Sequence, residues 1–361
     1  MRILILANDD EGLYQFRKEL LVELLKQHEV YASVPEGPYR DDLIKLGCIL
    51  KLIPFNRRGV NPFNDLRLCL QYVSLLKEIR PDIVFTYTIK PNVYGGMACR
   101  LLRVPYVVNI TGLGTAVENE GLLQKISIML YKVGICAAQQ VFFQNEDNRD
   151  FMLSKGIVKG RYDMIPGSGV NLTHFKPLDY PKDDVVIFSF ISRIMKEKGI
   201  EQYLEAAKYI RKKYPNTQFH VCGYCEQDYQ EELSRLHKAN IIVYHGCIRD
   251  VREMHKISHC TIHPTYYPEG LSNVLLESFS CCRPIMTTNR SGCREIVDDG
   301  VNGFVVRKMD SLDLIEKIEK FLALSYDEKR KMGLNGRKKV ENKFSRQIVV
   351  DKYVRELSFN K

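Results

Sequence analysis

Apolar residues fall along this chain in two alternating rhythms. Residues 3–7 are apolar at nearly every position, as in a parallel strand covered on both faces. After a turn at 8–12, Phe16, Leu20, Leu21, Leu24 and Leu25 recur at helical spacing. The succession then repeats. Strands are expected at 29–33, 49–53, 82–86, 106–110 and 141–144, with helices at 40–46, 64–79, 92–102 and 122–138 between them. Gly47 closes one of these helices, Pro81 stops another, and 111–115 is a Gly-rich turn. Strand and helix alternating in this way predict a doubly wound parallel sheet.

Residues 165–171, IPGSGVN, break the rhythm, and 172–184, with Pro177 and Pro181, read as a domain linker. The alternation then restarts. Strands are expected at 185–190, 218–222, 241–245, 260–263, 285–288 and 303–306. Helices are expected at 201–214, 227–237, 251–257, 272–280, 312–324 and 326–341, with a helix start at 293–297. The last segment carries Ile348, Val349, Tyr353 and Leu357 on one stripe, and 345–361 is expected to pack back on the first domain. The expected fold is therefore α/β, with doubly wound domains at 1–170 and 185–344 and a cleft between them. Ligands of such sheets sit beyond the carboxyl ends of the strands. That directs attention to the loops at 8–12, 86–96, 111–115, 145, 192–199, 223–226, 246–250, 264–273 and 289–294.

Composition narrows the function classes. An apolar fraction of 45% and a charged fraction of 27% over 361 residues describe an ordinary globular chain, neither disordered nor repetitive. The formal charge of +9 suits an anionic ligand, an anionic membrane surface or nucleic acid without choosing among them. Eleven Cys at scattered spacings read as reduced thiols of a cytosolic protein. The CGYC at 222–225 is weak evidence for a redox or zinc site, because no second pair stands at ligand spacing. The opening MRILILANDD reads as a first strand rather than a secretory signal, and no apolar run is long enough to span a membrane.

Three segments carry candidate chemistry. The first loop, Asn8-Asp9-Asp10-Glu11-Gly12, lacks GxGxxG and is acidic where a pyrophosphate would sit, so dinucleotide-binding enzymes lose ground. No GxxxxGK[ST] is present there either. Gly12 would still let a substrate approach the backbone. The loop at 192–199, SRIMKEKG, places Arg193 and Lys198 after a strand. A forked donor beside a mobile point charge suits a diphosphate. The stretch PEGLSNVLLE at 268–277 puts Glu269 in a Pro/Gly turn and Glu277 two turns into the helix that follows. That helix start offers free N–H groups near Ser272 and Asn273 to an anion. Glu277 suits a ribose, as an acid does in other nucleotide sites, and Glu269 a sugar hydroxyl.

These segments resemble the GT-B retaining glycosyltransferases of family 4, particularly those that assemble capsule, O-antigen and lipid-linked glycans. The likeness spans nearly the whole chain. SRIMKEKG resembles the family's arginine and lysine loop, and PEGLSNVLLE resembles its E-x7-E motif. TTNRSGCREIVDDGVNGFVV at 287–306, IPGSGVNLTHFKP at 165–177 and QNEDNRDFM at 144–152 resemble further family segments. The resemblance implies two Rossmann-like domains, the first binding the acceptor and the second the nucleotide sugar. It implies that Arg193 and Lys198 hold the donor diphosphate and stabilise the departing nucleotide. Glu277 then binds the ribose, Glu269 contacts the donor sugar, and backbone groups near Ser272, Asn273, Ser291 and Gly292 help hold the donor. Gly12, Lys90 and Gly112 fall on the acceptor side. Many members carry a His near the end of the fourth strand; here Thr86-Tyr87-Thr88-Ile89-Lys90-Pro91 has none, and Lys90 or Thr88 takes its place.

The resemblance further implies a metal-independent transfer with no cofactor, the nucleotide sugar being a substrate. The leaving group is a nucleoside diphosphate, which needs charge stabilisation more than a proton. The expected donor is UDP-linked and the expected acceptor a polyprenyl-diphosphate-linked glycan. Such enzymes are peripheral at the cytoplasmic face of the membrane. Arg57, Arg58, Lys125 and Lys132, with Ile126, Ile128, Met129, Leu130 and Val133, are candidates for a basic and apolar surface facing lipid. No reader motif for nucleic acid is present. Two other readings compete: the same fold with a small soluble acceptor, and a protein that binds nucleotide sugars without turnover.

Overall fold

The computed structural model describes residues 1–56, 61–114, 117 and 121–360. They form two compact units: Met1–Gly169 with Arg346–Lys361, and Val170–Ser345.

The first unit runs β1 (Arg2–Leu6), α1 (Asp10–Leu25), β2 (Glu29–Val34), α2 (Arg40–Leu46), β3 (Ile49–Leu52), α3 (Pro62–Ile79) and β4 (Ile83–Tyr87). It continues with a π-helical turn (Pro91–Gly95), α4 (Gly96–Leu102), β5 (Tyr106–Ile110), α5 (Leu122–Ile135), β6 (Gln140–Phe143), α6 (Glu146–Ser154) and β7 (Tyr162–Met164). The strands form one parallel sheet in the order β3-β2-β1-β4-β5-β6-β7. Strand direction of growth reverses between β1 and β4, so the loops after those two strands diverge and leave a crevice at their carboxyl ends.

The second unit runs β8 (Val186–Ile191), α7 (Ile200–Lys213), β9 (Thr217–Cys222), α8 (Gln230–Lys238), β10 (Val243–Tyr244), α9 (Arg252–Ile257) and β11 (Cys260–His263). Then come α10 (Asn273–Ser280), β12 (Ile285–Thr288), β13 (Gly303–Val306), α11 (Ser311–Ala323) and α12 (Tyr326–Lys343). Its parallel sheet has the order β10-β9-β8-β11-β12-β13, with the equivalent switch between β8 and β11. The last helix, α13 (Arg346–Leu357), belongs to the first unit.

The apolar runs become strands because both faces of each sheet are covered. In the first unit Leu4, Leu6, Val84, Val108 and Phe143 pack under α3, α4 and α5. The alternate residues Ile3, Ile5, Phe85, Val107 and Phe142 pack under α1, α2 and α13. Helix starts follow local capping chemistry: Asp9 accepts from Gly12 N–H, Asn61 from Phe63 and Asn64, and Ser325 with Glu328 forms a capping box.

Some boundaries differ from the sequence expectation. The helix expected at 122–138 stops at Ile135. Residues 293–297 form turns rather than a helix start, with Glu295 accepting from Gly292 N–H and Ser291 Oγ. The strand expected at 241–245 shortens to Val243–Tyr244. Residues 91–95 open the small-residue helix as a π turn. The short β7 was not anticipated, since three residues carry too little pattern to detect.

Helix α13 is fastened by chemistry as well as by its apolar stripe. Arg346 donates to Glu19 (2.6 Å), the Gln15 carbonyl and the Gly169 carbonyl. Tyr353 is fully buried against Phe142 (4.9 Å between ring centroids), Phe85 (5.0 Å) and Tyr87 (5.9 Å). Its hydroxyl accepts from Asn109 Nδ2 at 2.7 Å. Among the described residues no helix is long and apolar enough to cross a membrane. We predict that Tyr353→Ala destabilises the first unit by roughly 3–5 kcal/mol, the cost of truncating a buried aromatic ring. Denaturant unfolding followed in that unit reads the effect; a loss below about 1 kcal/mol contradicts it.

Candidate functional site

The second unit brings the loops after β8 and β11 together at its switch point. Residues 192–199 leave β8, pass through a short 3₁₀ turn (Lys196–Lys198), and enter α7. The entry needs glycine: Gly199 has φ 81°, and a Cβ there would lie 2.3 Å from the Pro264 carbonyl oxygen. That contact presses the basic loop against the loop after β11. The Glu197 carbonyl then accepts from Tyr266 N–H (2.9 Å), Tyr267 N–H (3.0 Å) and Thr265 Oγ1 (3.2 Å). A third loop joins by the same means. Gly292, at φ 87°, would place a Cβ 2.7 Å from the Gly270 carbonyl, and its own carbonyl accepts from Ser272 N–H at 2.8 Å.

This frame carries the charged groups. Lys198, 7% exposed as a residue, forms an ion pair with Glu269. Arg193 pairs with Glu226, which follows the CGYC loop. The Tyr267 ring lies beneath both cations, with Arg193 Cζ 5.4 Å and Lys198 Nζ 5.0 Å from its centroid. Behind Glu269 stands His263, at the end of β11 and 2% exposed, with Nε2 3.8 Å from a Glu269 oxygen. Burial pushes the Glu269 carboxyl up, but the Lys198 ammonium and the His263 ring outweigh it and hold the carboxyl at about 2. Burial holds His263 below its ordinary value, so the ring is neutral near pH 7. Burial also pushes the nearby Cys293 thiol up to about 12. The result is a pair of cationic side chains anchored on carboxylates and set at the carboxyl edge of a parallel sheet.

The other anticipated residues are placed as follows. Ser272 precedes α10 and makes no side-chain cap, and Asn273 opens the helix. Because α10 starts at Asn273, Glu277 lies one turn into it rather than two, and is half-buried. In the first unit, Gly12 is the third residue of α1 and donates to Asp9. Gly112 follows β5. Lys90 follows β4 and is tied to Asp65 at 2.7 Å, with both side chains largely buried. Its charge is therefore already matched within the unit. Arg57 and Arg58 lie outside the described residues.

The sequence reading missed Glu226, Tyr267 and His263. Glu226 and Tyr267 lie within loops singled out above and His263 borders one, yet nothing in the local pattern marks any of them as a partner of the two cations. All eleven cysteines are free thiols, and among the described residues no group of three or more His, Cys, Asp or Glu is placed to hold a metal ion.

Comparison with known proteins matches both units. Residues 173–339 match the family described as Glycosyl transferases group 1, and residues 2–145 the family described as Glycosyl transferase 4-like. The chain is similar to the N,N'-diacetylbacillosaminyl-diphospho-undecaprenol alpha-1,3-N-acetylgalactosaminyltransferase of Campylobacter jejuni, 26% identical over 92% of each chain. It is also similar to the UDP-Gal:alpha-D-GlcNAc-diphosphoundecaprenol alpha-1,3-galactosyltransferase of Escherichia coli, 26% identical over 89% of this chain and 85% of that one. Among solved structures it superposes on Anabaena Alr3699/HepE in complex with UDP-glucose with a TM-score of 0.80, at 18% identity over 99% of both chains.

Breaking the buried pair gives a prediction. Lys198→Met should lower the stability of the second unit at pH 7 by about 3–5 kcal/mol, since the largely buried Glu269 carboxylate loses its ammonium partner. The double variant Lys198→Met/Glu269→Gln should recover most of that loss. In the unaltered protein the Glu269 carboxyl is more acidic folded than unfolded. Its contribution is complete above the ordinary value of 4.5 and disappears as the pH falls toward about 2. Thermal melting of the three proteins between pH 3 and pH 8 checks both statements; equal melting of the single and double variants contradicts the pairing.

Proposed function

This chain is a GT-B-fold glycosyltransferase related to the group 1 and 4-like families, and on that premise we propose that it moves a hexose or N-acetylhexosamine, with retention, from a UDP-linked donor to a polyprenyl-diphosphate-linked glycan. The observation that carries the reading is the Lys198 and Arg193 pair at the switch point of the second unit, over the Tyr267 ring. Two fixed cations at that point suit a sugar diphosphate and the negative charge that grows on it as the glycosidic bond breaks. Glu269 keeps Lys198 in place before the donor arrives and presents a carboxylate to the donor sugar. Glu277 takes the ribose hydroxyls, and the backbone at Ser272, Asn273, Ser291 and Gly292 lines the donor. Retention follows when the acceptor attacks from the face the leaving group vacates, with a phosphate oxygen receiving the acceptor proton. Paired carboxylates at glycosidase spacing are not needed.

The acceptor falls to the first unit, where Gly12, Lys90 and Gly112 lie at the carboxyl edge of the sheet. Relatives whose names include a diphospho-undecaprenol acceptor support a lipid-linked substrate. The surface of α5 supports contact with an anionic membrane. Leu122, Leu123, Ile126, Met129 and Val133 are exposed on it, and the helix holds no acidic residue. Lys125 and Lys132 are exposed on the same helix. Ile128 and Leu130, by contrast, turn inward against the core. Such a face suits a peripheral protein at the cytoplasmic leaflet.

Calorimetric titration with UDP, GDP and ADP in the presence of EDTA tests the donor class, with micromolar binding expected for UDP alone. Lys198→Ala, assayed where the variant remains folded, should lower kcat by roughly 100-fold, the scale of a lost oxyanion contact. Turnover within threefold of the unaltered enzyme would remove Lys198 from the donor site. Glu277→Ala should weaken UDP binding, and an unchanged affinity would take it out of the ribose site.

A further inference from the structure

Five cationic side chains are buried among the described residues: Arg17, Lys198, Arg283, Lys329 and Arg346. Four of them face oxygen. Lys198 has Glu269 and Lys329 has Asp183 at 2.8 Å. Arg283 donates to the carbonyls of His255, Leu178, Asp179 and Lys256. Arg346 has Glu19 and two carbonyls. Arg17 is the exception. It is 6% exposed, its Nη1 is buried with no hydrogen-bond partner, and its guanidinium stacks only on the Tyr87 ring, 4.9 Å from the centroid. The carboxylates of its own helix are engaged elsewhere. Asp10 accepts from Tyr39 N–H, Glu11 from Gln15, Glu19 holds Arg346 and Glu23 holds Lys26.

Its position gives the exception a use. Arg17 sits two turns into α1, and helical side chains lean toward the helix N-terminus. The guanidinium is thereby directed to the carboxyl edge of the sheet, at the switch between β1 and β4. Tyr87 is the last residue of β4, and its hydroxyl is buried beside that of Tyr353. Thr88 follows at φ 70°, an uncommon conformation for a β-branched residue, and its hydroxyl is buried with no hydrogen-bond partner among the described residues. A forked cation and the Thr88 hydroxyl at one strand end make a donor set with no acceptor among the described residues. That combination matches a phosphate oxyanion, which takes two parallel N–H bonds from one guanidinium.

We propose that Arg17 binds a phosphate group of the acceptor at the carboxyl end of β4, with Thr88 as a further donor. The identity of that phosphate as the acceptor's diphosphate rests on the function proposed above; the anion site itself does not. The oxyanion completes the coordination that the protein supplies for every other buried cation.

The test uses the full chain, with UDP saturating the donor site and inorganic pyrophosphate as the probe. Pyrophosphate should raise the melting temperature of the unaltered protein and leave Arg17→Met unmoved, while Arg17→Lys shows a reduced shift. Arg17→Met by itself should melt no lower than the unaltered protein, because removing a buried cation that lacks a counter-charge relieves a cost. Absence of a pyrophosphate shift, an equal shift in Arg17→Met, or a variant that melts far lower or fails to fold each overturns the proposal, the last by assigning Arg17 a structural role. A kinetic arm separates the sources of phosphate. With a polyprenyl-diphosphate-linked sugar as acceptor, Arg17→Met should raise the acceptor KM about tenfold or more, the scale of a lost charge-assisted contact, at unchanged UDP affinity. An Arg17-dependent pyrophosphate shift with an unchanged acceptor KM overturns the acceptor assignment and points to free phosphate. If no polyprenyl-diphosphate acceptor is used at all, the functional reading fails, and the pyrophosphate arm alone decides the site.

Discussion

A cation taken out of water needs oxygen atoms around it, because its lost hydration is far larger than any packing gain. Much of this protein is arranged to meet that need. Lys198 is held by Glu269, and the two residues come from loops on different strands, so their pairing also fixes one loop against the other. Arg283 lies fully buried beneath four backbone carbonyls from two segments. Arg346 ties α13 to α1 and to the Gly169 carbonyl, which sets the last helix of the chain onto the first sheet. These contacts are structural and chemical at once: where a charge is satisfied, a loop is located.

The candidate site follows from the same economy of placement. Strand order reverses between β8 and β11, so the loops after them are neighbours in space with no helix between them. Close backbone approach at Gly199 and Gly292 then brings three loops into contact. The hydrogen bonds converging on the Glu197 carbonyl hold the basic loop rigid. Arg193 and Lys198 are thus held in place by their carboxylate partners, which offset the cost of taking the two charges out of water. Charge fixed in this way needs little rearrangement when an anion comes against it.

Much of this architecture was legible in the chain. Parallel strands buried on both faces read as continuous apolar runs, so nearly every central strand stands where the pattern placed it. Arg193, Lys198 and Glu269 stood out as candidates because they lie in the loops that follow such strands, and their motifs are dense in charge, Pro and Gly. Helix ends were less so: α5 stops at Ile135, and 293–297 turns instead of continuing, because Glu295 caps Gly292 and Ser291. Glu226 and His263 were not legible as site residues. The partner of Arg193 is 33 residues away and that of Lys198 is 71 residues away, and no local spacing connects them.

The sequence by itself determined the class of the fold, the alternation of strands and helices, and the loops at which chemistry gathers. Those depend on periodicity and turn residues, which act over a few positions of chain. Only the tertiary structure decided which charges meet and which stay apart. It closed Lys90 onto Asp65, set Lys198 on Glu269 with His263 behind, and left Arg17 over the Tyr87 ring with no carboxylate of its own. The physical reason is that Coulomb and hydrogen-bond energies act across a few ångströms of space, and strand order, not distance along the chain, determines which side chains share that space.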